Sequence, residues 1–362
     1  MTLQQTQGKK KLKIAQIAPL WVSIPPEKYG GIERIIFWLC QELTKRGHDV
    51  TLFASGDSKT SAKLVSVYPQ GLLKGNIPWT DPFWNLENLS VASQKAGNFD
   101  IVHSHLDLWT LFFQDLVKTP VIHTFHNPLY ISSITDPKRI PTRLKMFEIH
   151  KKRTNAVFIS KSQRKLCPVK FPKNKVIYNG IDVSEFKFNP KPKDYFVWAA
   201  RIDPYKGIEN AIKAAEITKA KLLLAGRLDK YRKEYFKEKI KPHLSKKIQY
   251  LGELPRNRLS NLFAQARACL YPIEWEEPFG LVVTEAMATG TPVIAFNHGS
   301  MSELITKETG FVVNNIPEMV KAMKEVDKIN RKKCRERVEK HFSYQRMVDE
   351  YEKLYYQLIN RR

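Results

Sequence analysis

The chain has 362 residues, of which 43% are hydrophobic, and its formal net charge is +24. This length suits two domains of ordinary size, and the hydrophobic content excludes a disordered protein. No apolar run is long enough to span a membrane, and the N-terminus lacks the apolar core of a secretory signal. The charge favours polyanionic partners but does not choose among nucleotides, anionic lipids and nucleic acid.

The first half of the chain predicts alternating strands and helices. A strand at 13–20 leads through the pair Gly30-Gly31 into a helix at 32–46, and a second strand follows at 50–55. The glycine pair allows a backbone to approach a ligand closely. Further strands are predicted at 100–105, 121–126, 156–160 and 175–180. This alternation is typical of a parallel sheet covered by helices on both faces.

The second half shows the same alternation after a charged, proline-containing segment at 182–194, where we predict the domain boundary. Strands are predicted at 195–200, 221–226, 248–252, 268–272 and 292–296, and helices at 206–218, 230–242, 257–265, 279–288, 317–329 and 344–360. We therefore divide the chain into domains at 1–185 and 186–342 and a C-terminal helical segment at 343–362.

Unusual polar residues and glycines fall at or just beyond the C-terminal ends of the predicted strands. They are Gly30, Gly31, His103, His105, His126, Asn179, Arg201, Gly226 and Glu277. Ligands of open parallel sheets bind at that edge. Two such sheets with their edges facing predict one cleft between the domains.

The stretch 274–296, EWEEPFGLVVTEAMATGTPVIAF, carries two of the candidate residues. Glu277 and Glu285 stand on either side of Pro278-Phe279-Gly280, and we place Pro278 in the first turn of a helix. A helix N-terminus presents unpaired N–H groups that suit phosphate or sugar oxygens. The alternative is an ordinary strand–helix unit with a solvated acidic start.

Arg201 and Lys206, in RIDPYKG, follow a predicted strand and open a helix. They can converge on a pyrophosphate, with Arg201 as a planar fork and Lys206 as a point charge. The alternative is a solvated basic turn.

Four histidines lie on two predicted strands. We predict that His103 and His105 point to opposite sides of their strand, with His105 the functional residue and His103 structural. His123 and His126 follow on the next strand. The chain has no HExxH, CxxC or DxD pattern, so we expect no metal site, and the four separated cysteines indicate reduced thiols in the cytosol.

The span from Lys138 to Lys175 holds 13 Lys or Arg residues and a single acidic residue, Glu148. Ile140, Leu144 and Phe147 fall on one face of a helix within it. A basic amphipathic helix suits an anionic membrane surface. The alternative is a core-facing helix with a solvated basic side.

These motifs together resemble family 4 of the glycosyltransferases, which has the GT-B fold of two facing Rossmann-like domains. The most specific part is EPFGLVVTEAMATGTPVIA, which looks like the family's E-x7-E motif. YGGIE, HSH, NGID, RIDPYKG and LAGR come in the family's order, so the resemblance runs nearly end to end. One departure is GSMSE at 299–303, where the family commonly has GG-x-x-E.

The resemblance implies a retaining transferase that uses a nucleotide-sugar donor, UDP- or GDP-linked, and neither a metal at the catalytic centre nor another cofactor. It assigns the donor pyrophosphate to Arg201 and Lys206, and Gly30 and Gly31 would let the N-terminal loop approach the phosphates. The ribose would bind Glu285, the donor sugar Glu277, and the acceptor side would hold His105. Backbone N–H groups near Phe279, Gly280 and Leu281 would face the sugar or phosphate. The final helix would cross back onto the first domain.

We therefore expect an enzyme that moves a sugar to a lipid-linked or polysaccharide acceptor at the cytoplasmic face of the membrane. The first alternative is a soluble transferase acting on a small molecule or a storage glucan. The second, motivated only by charge, is a nucleic-acid-binding protein, but no binding module supports specific recognition of nucleic acid.

Overall fold

The computed structural model describes residues 10–27, 30–78, 81–129, 138 and 140–360 and divides into two compact units. Unit 1 comprises the chain up to Gly180 together with the residues from Tyr344, and unit 2 comprises Ile181–Ser343. The division made from the sequence differs by five residues at the first boundary and one at the second. The C-terminal helix, Tyr344–Ile359, belongs to unit 1.

Unit 1 is built on seven parallel strands. They are β1 Lys13–Ile17, β2 Asp49–Phe53, β3 Lys63–Val65, β4 Ile101–Ser104, β5 Val121–Phe125, β6 Asn155–Phe158 and β7 Asn174–Val176. Their order in the sheet is β3-β2-β1-β4-β5-β6-β7. The central strands β4 and β5 are buried along their whole length, as expected for a parallel sheet covered on both faces.

Unit 2 is built on six parallel strands. They are β8 Phe196–Ala199, β9 Leu222–Ala225, β10 Ile248–Tyr250, β11 Ala268–Tyr271, β12 Val293–Phe296 and β13 Gly310–Val313, in the order β10-β9-β8-β11-β12-β13. The prediction of an α/β fold with two parallel sheets is therefore confirmed. The sequence analysis missed the short edge strands β3 and β13.

Helices cover the sheets of both units. They are α1 Gly31–Lys45, α2 Phe83–Gln94, α3 Ile140–His150, α4 Lys161–Leu166, α5 Ile208–Thr218, α6 Lys233–Tyr235, α7 Arg256–Gln265, α8 Leu281–Ala288, α9 Met301–Leu304, α10 Ile316–Glu325, α11 Arg331–His341 and α12 Tyr344–Ile359. None of the helices in the described ranges is both long and apolar enough to cross a bilayer.

The prediction of one continuous helix at 230–242 is wrong. The segment is a 3-10 turn, the single turn α6, a π-helical turn at Phe236–Ile240 and a second 3-10 turn at Lys241–His243. Pro242 has no N–H for an α-helical hydrogen bond, and its ring clashes with the preceding turn.

The last helix, α12, is fixed to α1 by a group of charged residues. Glu352 accepts hydrogen bonds from Arg46 Nη1 at 2.8 Å and His48 Nε2 at 3.0 Å. The N–H of Leu12 donates to His48 Nδ1, so the ring proton of His48 is on Nε2. Burial alone would raise the pKa of Glu352, but the bonds from His48 and Arg46 outweigh it and lower the pKa below its usual value.

Replacing Glu352 by Gln should lower the free energy of unfolding by about 2 kcal/mol at neutral pH, because two charge-assisted hydrogen bonds are weakened. The pKa of Glu352 is lower in the folded than in the unfolded chain. The wild-type advantage is therefore full above the usual glutamate pKa of about 4.3 and is lost as pH falls through the lower folded value. Urea unfolding across this pH range measures it.

Glu350→Gln is the matched control, since Glu350 lies on the same helix in a surface pair with Arg346. It should change stability by less than about 0.5 kcal/mol. An equal loss in both variants, or an advantage that grows towards acid, would contradict the role of Glu352.

Candidate functional site

In unit 2 the candidate residues follow two neighbouring strands. β8 and β11 lie side by side, and the chain leaves β8 towards β9 but leaves β11 towards β12 on the other side. Arg201 and Lys206 follow β8, and Glu277 follows β11. The crevice at such a reversal of strand order is the usual ligand site of an open parallel sheet.

The carboxylate of Glu277 is surrounded by donors. Its Oε2 accepts hydrogen bonds from Lys206 Nζ at 2.5 Å, Trp275 Nε1 at 2.9 Å and Tyr271 Oη at 3.0 Å. Its side chain is only 12% exposed. Three donors on one oxygen hold the carboxylate in a single orientation.

Lys206 is fixed at both its ends. Its backbone carbonyl accepts a hydrogen bond from the buried indole of Trp198 at 3.1 Å. Its ammonium lies 4.5 Å from the centre of the Trp275 ring and bonds to Glu277. The structure therefore brings Lys206 and Glu277 together, as the sequence analysis expected of a common site.

Arg201 is the guanidinium with the weakest protein partners in this region. Its nitrogens lie 3.7 Å from Asp203 and 4.0 Å from Asp229, which is beyond hydrogen-bonding distance. Asp203 is bound more closely by Arg232, at 3.0 Å. Within the part of the chain that the structure describes, Arg201 Nε is buried without a hydrogen-bond partner. The nearby carboxylates therefore do not engage Arg201 in a close hydrogen bond.

The loop before α8 corrects one prediction. Pro278 does not lie in the first turn, because the helix begins at Leu281 and is preceded by Gly280 with φ +91°. A proline at 278 is compatible with a first turn, but the left-handed backbone at Gly280 interrupts the helix there, so the helix begins only after it. The side chain of Phe279 is buried and packs edge-on against Phe342 at 5.8 Å.

The segment 299–303 contacts the backbone of Glu277 and fixes its position. The N–H of Ser300 donates to the Glu277 carbonyl at 3.0 Å. Gly299 has φ +60°, and a Cβ atom there would stand 2.1 Å from the same carbonyl oxygen. Only glycine fits so close an approach.

Glu285 is buried on α8 and has a partner that the sequence analysis did not identify. Arg256 Nη1 donates to Glu285 Oε1 at 2.9 Å and is also paired with Glu185. Burial alone would lower the pKa of Arg256, but Glu285 and Glu185 together raise it. No sequence spacing links these three residues, so only the fold reveals the group.

In unit 1 the candidates also follow neighbouring strands. Gly30 and Gly31 follow β1 and begin α1, while His105 follows β4 and His126 follows β5. Tyr29, the first residue of the YGGIE motif, lies outside the described residues. The strand order again reverses between β1 and β4, and such a reversal is the usual position of a ligand site in an open parallel sheet.

The prediction that His103 and His105 point to opposite sides is wrong. Residues two apart on a strand share a face, and the ring centres lie 4.2 Å apart. Both rings are buried. His103 is held by Tyr355 at 2.7 Å and Thr124 at 2.7 Å, which is the structural role expected of it.

Both ring nitrogens of His105 are bonded inside unit 1. Gln16 Nε2 donates to Tyr355 Oη at 3.0 Å, so Gln16 Oε1 accepts from His105 Nε2 at 3.0 Å. His105 Nδ1 then accepts from His126 Nε2 at 2.9 Å. Burial lowers the pKa of His105 well below its usual value and that of His126 to about 3, so both rings are neutral at neutral pH.

The basic span from Lys138 to Lys175 includes α3 and α4, and its Arg139 lies outside the described residues. Phe147 is the buried residue of α3 and packs with Phe125 and Phe171. Next to the end of α3, Phe112 meets His150 edge-on at 5.7 Å. We define the α3 surface as six exposed apolar or basic side chains of the segments 112–118 and 145–152: Phe112, Leu116, Lys118, Lys145, Ile149 and Lys152.

The α3 surface combines apolar and basic side chains. Leu116 is 76% exposed and Ile149 53% exposed. The three lysines make no ion pair among residues 10–27, 30–78, 81–129 and 140–360, whereas the nearby Asp115 is paired with Arg153 at 2.9 Å. The α3 surface therefore combines exposed apolar side chains with lysines that carry positive charge.

Comparison with known proteins covers both units. Residues 29–185 match the family described as Glycosyltransferase Family 4, and residues 182–341 match Glycosyl transferases group 1. The chain is 24% identical over 311 residues to the phosphatidyl-myo-inositol mannosyltransferase of Mycolicibacterium smegmatis, covering 78% of this chain and 76% of that protein.

Two solved structures share the fold. Sucrose-phosphate synthase from Thermosynechococcus elongatus superposes with a TM-score of 0.81 at 21% identity, over 98% of this chain and 100% of that one. Anabaena HepE in complex with UDP-glucose superposes with a TM-score of 0.71 at 18% identity, over 95% of this chain and 99% of that one.

The contact between Gly299 and Glu277 can be tested by stability. Gly299→Ala should lower the free energy of unfolding by about 2 kcal/mol more than Gly252→Ala, because its Cβ overlaps a backbone oxygen. Gly252 is the matched control, since its φ is also positive, +72°, but no atom lies within 4 Å of its Cβ position. If urea unfolding shows equal losses of free energy in the two variants, the contact with Gly299 does not fix the position of Glu277.

Proposed function

The chain belongs to the group 1 glycosyltransferases of GT-B type, and on that premise we propose that it transfers a sugar from a nucleotide-sugar donor with retention of anomeric configuration. The observation that carries this proposal is the position of two cations and one fixed carboxylate directly after the two neighbouring strands β8 and β11, at the reversal point of the unit 2 sheet. Arg201 and Lys206 supply the cations and Glu277 the carboxylate.

The donor diphosphate binds Arg201 and Lys206. Arg201 has weak protein partners, and Lys206 is an ammonium with three N–H groups, one of which is used by Glu277. Support for a UDP-linked donor comes from Anabaena HepE, whose structure is a complex with UDP-glucose; a GDP-linked donor is the other candidate. Glu285 accepts from the ribose through the oxygen that Arg256 does not use.

In the transfer step the bond from the anomeric carbon to the diphosphate oxygen breaks. The acceptor oxygen attacks the same face, and its proton passes to the departing diphosphate oxygen. Negative charge grows on the diphosphate, and fixed cations stabilise that charge without a divalent metal. Glu277 binds the donor sugar, while the backbone near Phe279, Gly280 and Leu281 lies beside the sugar or phosphate.

In unit 1, Gly30 and Gly31 let the loop before α1 approach the donor phosphates, and His105, with its partner His126, binds on the acceptor side. His105 uses both its nitrogens for Gln16 and His126. His126 Nδ1 has no partner within the described ranges, so His126 is the ring of the pair that has a nitrogen left for a ligand. We therefore extend the assignment made for His105 to His126.

The acceptor is a lipid-linked or polysaccharide saccharide, used at the cytoplasmic face of the membrane. The α3 surface supports this assignment, because exposed apolar side chains flanked by lysines suit an anionic bilayer. The mycobacterial relative, named for phosphatidyl-myo-inositol, is consistent with it. A soluble enzyme acting on a small molecule or storage glucan is the second candidate, favoured by the likeness to sucrose-phosphate synthase.

A panel of UDP- and GDP-sugars tests the reaction. Thermal stabilisation identifies the donor, and NMR of the product gives its anomeric configuration. Assays with EDTA present should retain full turnover. Inversion of configuration, loss of turnover in EDTA, or no use of any nucleotide sugar would each contradict the corresponding part of the proposal.

Arg201→Ala, Lys206→Ala and Glu277→Ala should each lower kcat/KM by about 100-fold or more, because each removes a group that acts on the donor. Their melting temperatures should stay close to that of the wild type. Lys213→Ala, on an exposed position of α5, is the control with normal turnover. Near-normal turnover in all three site variants would refute the site.

Binding to vesicles of phosphatidylglycerol and phosphatidylcholine tests the α3 surface. The pair Lys145→Glu/Lys152→Glu should weaken flotation about tenfold or more at low salt, since each lysine contributes roughly 1 kcal/mol near such a surface. Leu116→Ser/Ile149→Ser should weaken it at all salt concentrations.

The matched control is Lys239→Glu/Lys246→Glu, which makes the same change of charge on exposed lysines of unit 2. It should bind vesicles as the wild type does. Equal loss in both charge variants would show attraction by net charge alone, and no flotation of the wild type would favour the soluble acceptor.

A further inference from the structure

Trp275 contacts two of the charged residues assigned to the donor site, Glu277 and Lys206, with different parts of its ring. The indole N–H donates to Glu277 Oε2 at 2.9 Å, and the ring face lies under Lys206 Nζ at 4.5 Å. Neither the sequence motifs nor the assigned roles above give this residue a task.

The arrangement matters because the ammonium of Lys206 interacts with two different anions. Its ammonium bonds to Glu277 at 2.5 Å, and under the proposed function it also binds the donor diphosphate. A diphosphate carries more charge than one carboxylate, so it draws the ammonium towards itself. Glu277 would then lose its strongest donor at the moment when it must hold the sugar.

Trp275 and Tyr271 are the donors that remain. Both bonds reach the same oxygen as Lys206, at 2.9 Å and 3.0 Å. Both donors come from short stretches near the end of β11, so neither moves with the flexible lysine chain. A carboxylate with two neutral donors left keeps its orientation.

The ring face has a separate effect. A cation over an indole is attracted by the negative face of the ring, and this attraction limits the conformations open to the long lysine side chain. Lys206 is thereby kept close to its working position while it shifts between carboxylate and diphosphate.

We propose that Trp275 is a positioning residue, whose N–H holds Glu277 and whose ring face guides Lys206 as the Lys206–Glu277 pair opens for the donor diphosphate. This inference rests on the proposed function. Tyr271 shares the first task but not the second.

Three variants separate the two tasks. Trp275→Phe keeps a ring under Lys206 but removes the N–H, so kcat should fall about tenfold while the affinity for UDP or GDP changes less than about threefold. Tyr271→Phe should behave in the same way, and the two together should lower kcat about 100-fold. Trp275→Leu removes both features and should also weaken diphosphate binding about fivefold.

Fluorescence reports the movement of Lys206 directly. Adding UDP or GDP should change the emission of the wild-type protein, because the cation over the Trp275 ring moves. The change should be lost in Trp275→Phe and in Lys206→Ala. It should persist in the control Trp84→Phe, which removes a tryptophan whose ring lies 4.8 Å from that of Tyr68 in unit 1 and should also leave kcat unchanged.

Five outcomes would contradict the proposed role. If Trp275→Phe matches Trp84→Phe in kcat, or loses diphosphate affinity as strongly as kcat, the positioning role is refuted. If its unfolding temperature falls in parallel with kcat while Tyr271→Phe is normal, the role is structural. If diphosphate binding changes no emission from Trp275, Lys206 does not move. If the wild type binds neither UDP nor GDP, the proposed function fails and this inference with it.

Discussion

Every strand in the two sheets runs parallel to its neighbours, so each connection must carry the chain back across the sheet before the next strand begins. All the segments that follow strand ends are therefore gathered at one edge of each sheet. At the reversal of strand order, two such segments lie side by side with nothing crossing between them. Residues as distant in sequence as Lys206 and Glu277 meet for this reason, whereas His105 and His126 meet because they follow the adjacent strands β4 and β5.

The residues at these edges are held by several partners each. Glu277 has three donors on one oxygen, Glu285 shares Arg256 with Glu185, and His105 has both nitrogens bonded. Such groups are fixed by the fold rather than by a ligand, which is the condition for stabilising charge without reorganising at the moment of reaction. Arg201 is the exception, since its nearest carboxylates are too far away for hydrogen bonds.

Residue patterns predicted the parts of this structure that depend on local periodicity. The long central strands and α1 were found because apolar residues recur with a clear period. The edge strand β3 has three residues, of which two are exposed, so it carries no such signal.

The start of α8 was misplaced because Pro278 suits a first turn as well as a loop. The spacing of His103 and His105 was misread, although a period of two puts them on one face. Arg256 and Tyr355 could not be found at all, because their partners lie up to 339 residues away.

Unit 1 is made of two stretches of chain that are separated by the whole of unit 2. During synthesis the sheet of unit 1 leaves the ribosome first, then unit 2, and α12 last. Until α12 arrives, Gln16 and His103 have no Tyr355 to bind, and the side of α1 that packs on α12 is uncovered. Exposed apolar surface and unmatched polar groups at this stage invite aggregation. The unit that begins to fold first is thus the one that is completed last, after its neighbour has had time to fold on its own.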